Sequence, residues 1–166
     1  MRFLLDVMLG KLATYLRMCG HDAAYALDRG GANDAGNGDE TGNDGGGGGG
    51  GIEDDDALLA LVRGEGRRLV TRDADLAGRA NDAILLSAMD IDGQLRELHA
   101  AGVDLSLDRP ERCSRCNGRV DRVESGKTPE YAPDVDARRV WRCRACGQHY
   151  WKGSHWEDVR ERLRDV

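Results

Sequence analysis

Two Cys-x-x-Cys pairs constrain the fold of this chain more than any other feature of its sequence. The four thiols belong to Cys113, Cys116, Cys143 and Cys146. Two such pairs are typical of a tetrahedral Zn²⁺ site, and a shell of four thiolates leaves no coordination position open for a reaction. We therefore predict a structural zinc ribbon over residues 109–166, held together by the metal. Any chemistry is then expected upstream, in residues 1–108.

The composition predicts an intracellular protein with an aliphatic core. Charged residues make up 33% of the chain and aromatic residues only 5%. No apolar run approaches the roughly 20 residues of a membrane span, and Asp6 interrupts the first apolar run before a signal peptide can form. Cys19 lies outside the two cysteine pairs, which fits a reducing compartment. We expect a cytoplasmic location and no membrane partner.

The charged residues are biased both in type and in position. The chain has 21 Arg against 3 Lys and 21 Asp against 9 Glu, a bias that resembles proteins of halophilic organisms. Its formal net charge is -6, yet residues 109–166 hold 14 basic and 10 acidic side chains. Because high salt screens long-range repulsion, the overall negative charge does not exclude a polyanionic partner.

Residues 30–51 are rich in Gly, Asn and Asp and end in a run of seven glycines. Such a segment buries too little apolar surface to offset the entropy lost when it becomes ordered. Neither of its flanks alone has enough apolar residues for a core. We therefore predict a disordered insertion within one domain.

Apolar runs and helical periodicity alternate through the rest of residues 1–108. Predicted strands cover residues 2–5, 23–27, 68–71 and 83–87. Predicted helices cover residues 8–16, a segment that begins at Asp54 or Asp55, residues 74–81, and residues 91–102. This alternation predicts an α/β fold with a parallel sheet flanked by helices. Sites in such sheets form beyond the carboxyl ends of the strands.

Acidic residues fall at several of those ends. Asp6 follows the first predicted strand, Asp73 the third, and Asp90 and Asp92 the fourth, while the second predicted helix begins with Asp54, Asp55 and Asp56. Carboxylates that converge repel one another unless a divalent cation neutralises them. Oxygen ligands favour Mg²⁺ or Mn²⁺, which bind phosphate oxygens and activate water. The pattern therefore predicts a cation site that acts on a phosphodiester.

Several short motifs accompany these acids. They are Asp6 with Met8–Ala13, Leu16-Arg17, Gly20-His21-Asp22, Glu65-Gly66-Arg67, Leu69–Asp73, Gln94-Leu95, and Tyr150–Trp156 beside the second cysteine pair. Together with the cysteines, they resemble the PIN-like ribonuclease domain found at the carboxy-terminal end of the Mut-seven exonuclease. The resemblance covers nearly the whole chain except the glycine-rich insertion.

The resemblance implies a PIN-like α/β fold and metal-dependent cleavage of RNA. Carried over by position, Asp6, Asp55 and Asp73 correspond to the acidic ligands of Mg²⁺ or Mn²⁺, and Asp92 to a possible fourth catalytic acid. Asp54 and Asp56 remain alternatives to Asp55, because the neighbouring insertion can shift the register. The family also implies RNA as the partner and a possible homodimer.

Each candidate residue has a structural alternative. A carboxylate at a strand end or a helix start often only caps a turn or a helix. Lys11 and Arg72 can contact a substrate phosphate or face solvent. The ribbon's aromatic residues, set among arginines, can stack on unpaired bases, form the small ribbon core or dock on the first domain. These residues are Trp141, Tyr150, Trp151 and Trp156.

Two other functions stay open on the sequence alone. A non-catalytic RNA- or ribosome-associated adaptor would bind through the ribbon and keep a vestigial acidic rim. A phosphatase would use Asp73 and Asp75 as nucleophile and acid. However, haloacid-dehalogenase-like enzymes place that pair after the first strand rather than the third.

Overall fold

The computed structural model describes residues 1–29, 52 and 54–166. The insertion predicted over residues 30–51 therefore lies outside the described residues. Within the described ranges, no helix has both the length and the apolar character needed to cross a membrane.

A four-stranded parallel sheet forms the centre of the first part of the chain. Its strands are β1 (Arg2–Leu5), β2 (Asp22–Tyr25), β3 (Arg68–Thr71) and β4 (Ala83–Leu85), in the order β2-β1-β3-β4. Every neighbouring pair runs parallel, and Leu4 lies opposite Ala24 on one side and Leu69 on the other. Strands buried on both faces have continuous apolar sequences, which explains why their runs were visible in the sequence. The predicted parallel sheet is confirmed.

Helices cover both faces of this sheet. They are α1 (Gly10–Met18), a short 3-10 helix (Ala26–Arg29), α2 (Asp55–Glu65), α3 (Ala74–Arg79) and α4 (Ile91–Ala100). Because successive side chains of a strand point to opposite faces, Phe3 and Leu5 join one apolar core with α1 and α4. Leu4 joins a second core with α2 and α3.

Local caps fix where α2 begins and ends. The Asp54 side chain accepts a hydrogen bond from the Ala57 N–H at 2.9 Å, so Asp54 rather than Asp55 is the N-cap. Gly66 ends the helix in the left-handed conformation, with φ of 60°.

The end of α2 lies at the start of β1, because the Arg2 side chain donates to the Glu65 carbonyl at 2.7 Å. The chain before α2 lies beside the end of β2, because the Ile52 N–H donates to the Ala26 carbonyl at 3.1 Å. The helix therefore begins at the carboxyl edge, which carries the predicted acids.

The second part of the chain contains an antiparallel three-stranded sheet and a last helix. Its strands are β5 (Val120–Val123), β6 (Val140–Cys143) and β7 (His149–Trp151), in that spatial order, followed by α5 (Ser154–Arg164). The predicted ribbon is confirmed as a fold. However, Trp156 and Val159 of α5 are buried in the apolar core of the first sheet. The domain boundary at residue 108 stays a prediction.

Hydrogen bonds join the first cysteine turn to the edge strand β2. The buried Arg17 side chain donates to the carbonyl oxygens of Ser114 at 3.1 Å and Arg115 at 3.0 Å. Asn117, in the left-handed conformation, accepts from the Ala23 N–H at 3.1 Å. The cysteine turn is therefore fixed to the sheet by side chains from both parts of the chain.

Asp22 is the centre of the charge network at this junction. Its carboxylate accepts from the Arg67 guanidinium at 2.8 Å and from the Asn117 amide at 2.7 Å. Burial favours the neutral acid, but these hydrogen bonds and the charges of Arg67 and Arg112 prevail and lower the pKa of Asp22 to about 2. A lowered pKa means that the ionised carboxylate stabilises the folded state above about pH 4. That contribution is lost as the pH falls toward 2.

We expect Asp22→Asn to lower the free energy of unfolding by about 2 kcal/mol at neutral pH, because a pKa shift of nearly two units corresponds to about that energy. The difference between wild type and variant should narrow as the pH falls from 4 to 2. Urea unfolding at a series of pH values measures both quantities.

Asp82→Asn is the matched control, because Asp82 makes an exposed ion pair with Arg68 at 2.8 Å. An exposed pair of this kind contributes at most about 1 kcal/mol. Equal losses of stability in the two variants would contradict the role assigned to Asp22.

Candidate functional site

The carboxyl edge of the parallel sheet has a topological switch point between β1 and β3. The chain leaves β1 toward β2 on one side of the sheet, whereas β3 connects to β4 on the other side. Ligands of open α/β sheets bind at such a switch point, where neighbouring connections diverge. Asp6 directly follows β1, and Thr71 and Asp73 stand at the end of β3. Asp6 and Asp73, two of the predicted acids, thus lie together at this switch point.

Thr71 links these two residues. Its fully buried hydroxyl donates to Oδ2 of Asp6 at 2.8 Å and accepts from the Asp73 N–H at 3.0 Å. The other Asp6 oxygen, Oδ1, accepts from the Val7 N–H at 2.6 Å. Asp6 is only 8% exposed, so its orientation is fixed before any ligand binds. Thr71 was not identified as a site residue from the sequence.

One carboxylate oxygen of Asp73 caps a helix, and the other accepts no hydrogen bond from the described residues. Its Oδ1 caps α3 by accepting from the N–H groups of Asp75 at 2.8 Å and Leu76 at 3.0 Å. Asp73, rather than Asp75, is therefore the N-cap of α3. Among the described residues, nothing donates a hydrogen bond to its Oδ2. This oxygen remains available to a ligand.

The other two predicted acids lie in ion pairs with arginines. Asp55 begins α2 and pairs with Arg79 at 3.2 Å, and the neighbouring Asp56 contacts the same guanidinium. Asp92 lies in the first turn of α4 and pairs with Arg162 of α5 at 3.2 Å. The structure thus joins Asp6 and Asp73 through Thr71 and places Asp55 and Asp92 in separate pairs.

The side chains at the switch point offer oxygen atoms, the ligand type that small hard cations prefer. Over the described part of the chain, the cysteines form the sole group of three or more His, Cys, Asp or Glu side chains close enough to share an ion. Mg²⁺ keeps several waters and is commonly held by one or two carboxylates plus substrate phosphates. Asp6 and the free oxygen of Asp73 are the two carboxylate ligands that the switch point offers to such an ion.

Tyr25 is a further residue of this edge that sequence reasoning missed. It ends β2, and its hydroxyl donates to the Val7 carbonyl at 2.6 Å. Burial, the charge of Asp28 and the charge of Asp6 raise the pKa of Tyr25. A Cβ at Gly10 would lie 3.0 Å from the tyrosine ring, so glycine at the start of α1 allows the ring to lie there. The sequence did not signal this role, because the predicted strand over residues 23–27 placed Tyr25 at its middle, whereas the observed strand ends there.

The same edge presents cationic groups that pair with no carboxylate of the described residues. The N-terminus of α1 has neither a side-chain cap nor an acidic residue in its first turn, and its second residue is the exposed Lys11. Arg72, next to Asp73, has its Nε buried without a hydrogen-bond partner and places an Nη against the Met89 thioether. These groups can offset the charge of a phosphate near the carboxylates.

The four cysteines form a site that fits zinc. A tetrahedral Zn²⁺ with bonds of ~2.3 Å requires sulfur atoms about 3.8 Å apart. Cys113 and Cys146 have their sulfurs 3.6 Å apart, and those of Cys116 and Cys143 are 3.5 Å apart. All four sulfurs lie within 4.8 Å of one another. These residues can therefore hold zinc.

A second set of groups orients the sulfur atoms. The Tyr150 hydroxyl lies 2.9 Å from Sγ of Cys113, and the N–H of Cys116 donates to the same sulfur at 3.3 Å. At Gly118 a Cβ would lie 2.9 Å from Sγ of Cys143, so a side chain there would displace a ligand. Groups of this kind set the direction and basicity of metal-bound thiolates.

We expect Tyr150→Phe to weaken zinc binding by about 10- to 100-fold, because it removes the hydroxyl donor to Cys113 and keeps the ring. Competition with a chromogenic chelator measures the affinity. Tyr131→Phe is the control, since the Tyr131 hydroxyl contacts His149 rather than a cysteine. Equal zinc affinities in wild type and Tyr150→Phe would contradict this role.

A basic groove of about 760 Å³ lies on the outer face of the ribbon. Seven basic side chains line it, namely Arg109, Arg119, Arg122, Arg138, Arg139, Arg144 and Lys152. Its two acids are already neutralised, because Asp121 pairs with Arg144 at 2.6 Å and Glu111 with Arg109 at 3.2 Å. Arg119, Arg122 and Arg139 form no ion pair with any described residue. The basic groove therefore has an uncompensated positive charge on a chain of net charge -6.

Comparison with known proteins agrees with this arrangement. Residues 1–163 match the family model described as the Mut7-C RNAse domain. Searches of curated proteins and of solved structures gave no significant match. The family match includes the parallel sheet, its acidic edge and the cysteine ribbon. The chain therefore belongs to the Mut7-C RNAse domain family.

Proposed function

We propose that this protein is a metal-dependent ribonuclease that cleaves RNA phosphodiester bonds at the carboxyl edge of its parallel sheet. The observation that carries the proposal is the linkage of Asp6 and Asp73 through the Thr71 hydroxyl. Membership of the Mut7-C RNAse domain family supports a nuclease-like function. The uncompensated cations of the basic groove support RNA as the substrate.

In this proposal, Asp6 and Asp73 hold a Mg²⁺ or Mn²⁺ ion, with Asp55 as a further ligand and Asp92 as an additional acid. When bound, such an ion neutralises charge on the phosphate and makes a coordinated water more acidic. Thr71 keeps the Asp6 carboxylate in one orientation, so that its geometry does not depend on substrate binding. Arg72 and Lys11 bind phosphate oxygens next to the scissile bond.

Asp55 can bind the cation only if its carboxylate exchanges its contact with Arg79 for a contact with the ion. The Asp55 and Arg79 side chains are both 45% exposed, and exposed pairs of this kind contribute only about 0–1 kcal/mol. A divalent cation therefore competes easily with the guanidinium for this carboxylate. Asp92 requires the same exchange with Arg162.

The ribbon has the role of a binding module in this proposal. Its basic groove carries seven basic side chains against two acidic ones, and both acids are paired. Such a surface binds the phosphate backbone without reading sequence, and its affinity falls as salt rises. The zinc site keeps the groove in shape and takes no part in cleavage.

A second candidate function is a non-catalytic RNA-binding adaptor. The observation that favours it is the pairing of Asp55 and Asp92 with arginines, which leaves each carboxylate neutralised without a cation. An adaptor would bind RNA equally well with and without Mg²⁺ and would show no cleavage with any divalent cation.

We expect Asp6→Asn and Asp73→Asn each to lower the rate of RNA cleavage by more than about 100-fold, because even outer-shell groups of a metal site contribute 10- to 100-fold. Asparagine still caps a helix, so α3 should persist in Asp73→Asn. The test measures cleavage of a labelled RNA pool with Mg²⁺ or Mn²⁺ at low and high KCl. Zinc content and unfolding temperature are measured in parallel.

Asp55→Asn and Asp56→Asn form a matched pair, because both side chains contact Arg79. Asp55 is 45% exposed and Asp56 is 83% exposed. We expect cleavage to fall in Asp55→Asn and to persist in Asp56→Asn.

Undiminished cleavage by both Asp6→Asn and Asp73→Asn would refute the proposed site. A wild type that binds RNA but never cleaves it would favour the adaptor.

A further inference from the structure

A second, smaller cavity lies beside the basic groove, where the ribbon meets α1. We call this space of about 210 Å³ the aromatic cavity. Its walls include Tyr150 and Trp151 of β7, His155 and Trp156 of α5, and Met18 of α1. Pro110 lines both this cavity and the basic groove, so the two spaces are adjacent.

The walls of the aromatic cavity are held in place by contacts on their far sides. Tyr150 is fixed by its hydroxyl contact to Cys113 at 2.9 Å. Trp156 is buried in the apolar core, and the Lys152 ammonium lies 5.3 Å from the centre of its ring. A Cβ at Gly153 would lie 2.7 Å from the Trp151 indole nitrogen, so glycine there lets the indole lie against the backbone. A ligand would meet rings that are already oriented.

The size and chemistry of the cavity limit what can occupy it. Pockets for drug-sized ligands measure about 300–1,000 Å³, so about 210 Å³ suits a single planar group. Ser114, Gln148 and His155 also line the cavity, and their side chains can donate hydrogen bonds. A flat aromatic group that carries hydrogen-bond acceptors matches this combination. Nucleobases have both properties.

We propose that the aromatic cavity binds one unpaired nucleobase of an RNA strand whose phosphates lie in the adjacent basic groove. The proposal rests on the proposed function for the identity of the polymer, and it adds that the substrate is single-stranded. A base in a duplex is stacked and paired, and its flat face is not available to side chains. An unpaired base can leave the strand and stack on a tryptophan or tyrosine ring.

The test compares three labelled probes in buffers without Mg²⁺ or Mn²⁺, so that no cleavage occurs. The probes are an oligouridylate, an abasic ribose-phosphate strand of the same length, and an RNA duplex. Wild type should bind the oligouridylate about 5- to 150-fold more tightly than the abasic strand, the range expected for one base stacked on aromatic rings. It should bind the duplex more weakly than the oligouridylate.

Two variants separate the cavity from the groove. Trp151→Ala should remove the preference for the oligouridylate and leave affinity for the abasic strand unchanged. Arg139→Gln should weaken binding of both single strands by the same factor, because it removes a phosphate contact. Ser154→Phe, which fills the cavity from the exposed first residue of α5, should reproduce the effect of Trp151→Ala without deleting a ring.

Equal binding of oligouridylate and abasic strand by wild type would overturn the proposal, as would a preference that survives both Trp151→Ala and Ser154→Phe. Cleavage with Mn²⁺ is measured separately on the same proteins. A wild type that cleaves RNA but shows no preference for the oligouridylate refutes the base site and leaves the proposed ribonuclease activity supported. Absence of cleavage in a wild type that still prefers the oligouridylate refutes the ribonuclease and retains the cavity.

Discussion

The hydrogen bond from Thr71 to Asp6 depends on one constraint, the direct parallel pairing of β1 with β3. Neighbouring strands lie about 4.8 Å apart, so side chains at their ends can share a hydrogen bond or a small ion. With one more strand between them, the distance would be about 10 Å, too long for the Thr71 hydroxyl to reach the Asp6 carboxylate. The order β2-β1-β3-β4 therefore brings together acids that are 67 positions apart in the chain. The helices and both apolar cores serve to keep that order.

The zinc ribbon is joined to this sheet by polar contacts as well as by apolar packing. Arg17 donates to carbonyl groups of the first cysteine turn, and Asn117 in the same turn bonds to both Asp22 and Ala23. The last helix then returns to bury Trp156 in the core of the first sheet. The first cysteine turn and the position of β2 are therefore physically coupled. These contacts fix the ribbon on the sheet, as the proposed role of the basic groove in binding a substrate strand requires.

Much of this arrangement was predictable, because local signals and tertiary packing agree in the sheet and helices. Arg68–Thr71 and the cap at Asp54 both follow from short-range patterns. The roles of Thr71, Tyr25 and Arg17 were not predictable, because each depends on a partner distant in sequence. The helix α5 was not predicted, because its charged sequence has only a narrow apolar stripe, whereas docking of Trp156 on the first domain was one of the alternatives that the sequence left open. The likeness to the PIN fold and the metal ligand set remain predictions.

Manganese binding tests the central claim most directly, because it needs neither a known RNA nor turnover. Zinc-loaded protein is titrated with Mn²⁺, and free Mn²⁺ is followed by electron paramagnetic resonance. The account predicts a Mn²⁺ site in wild type that is lost in Asp6→Asn and retained in Asp82→Asn, whose altered side chain precedes β4 at the opposite edge of the sheet. Identical Mn²⁺ binding by all three proteins would contradict a cation site at the junction of β1 and β3.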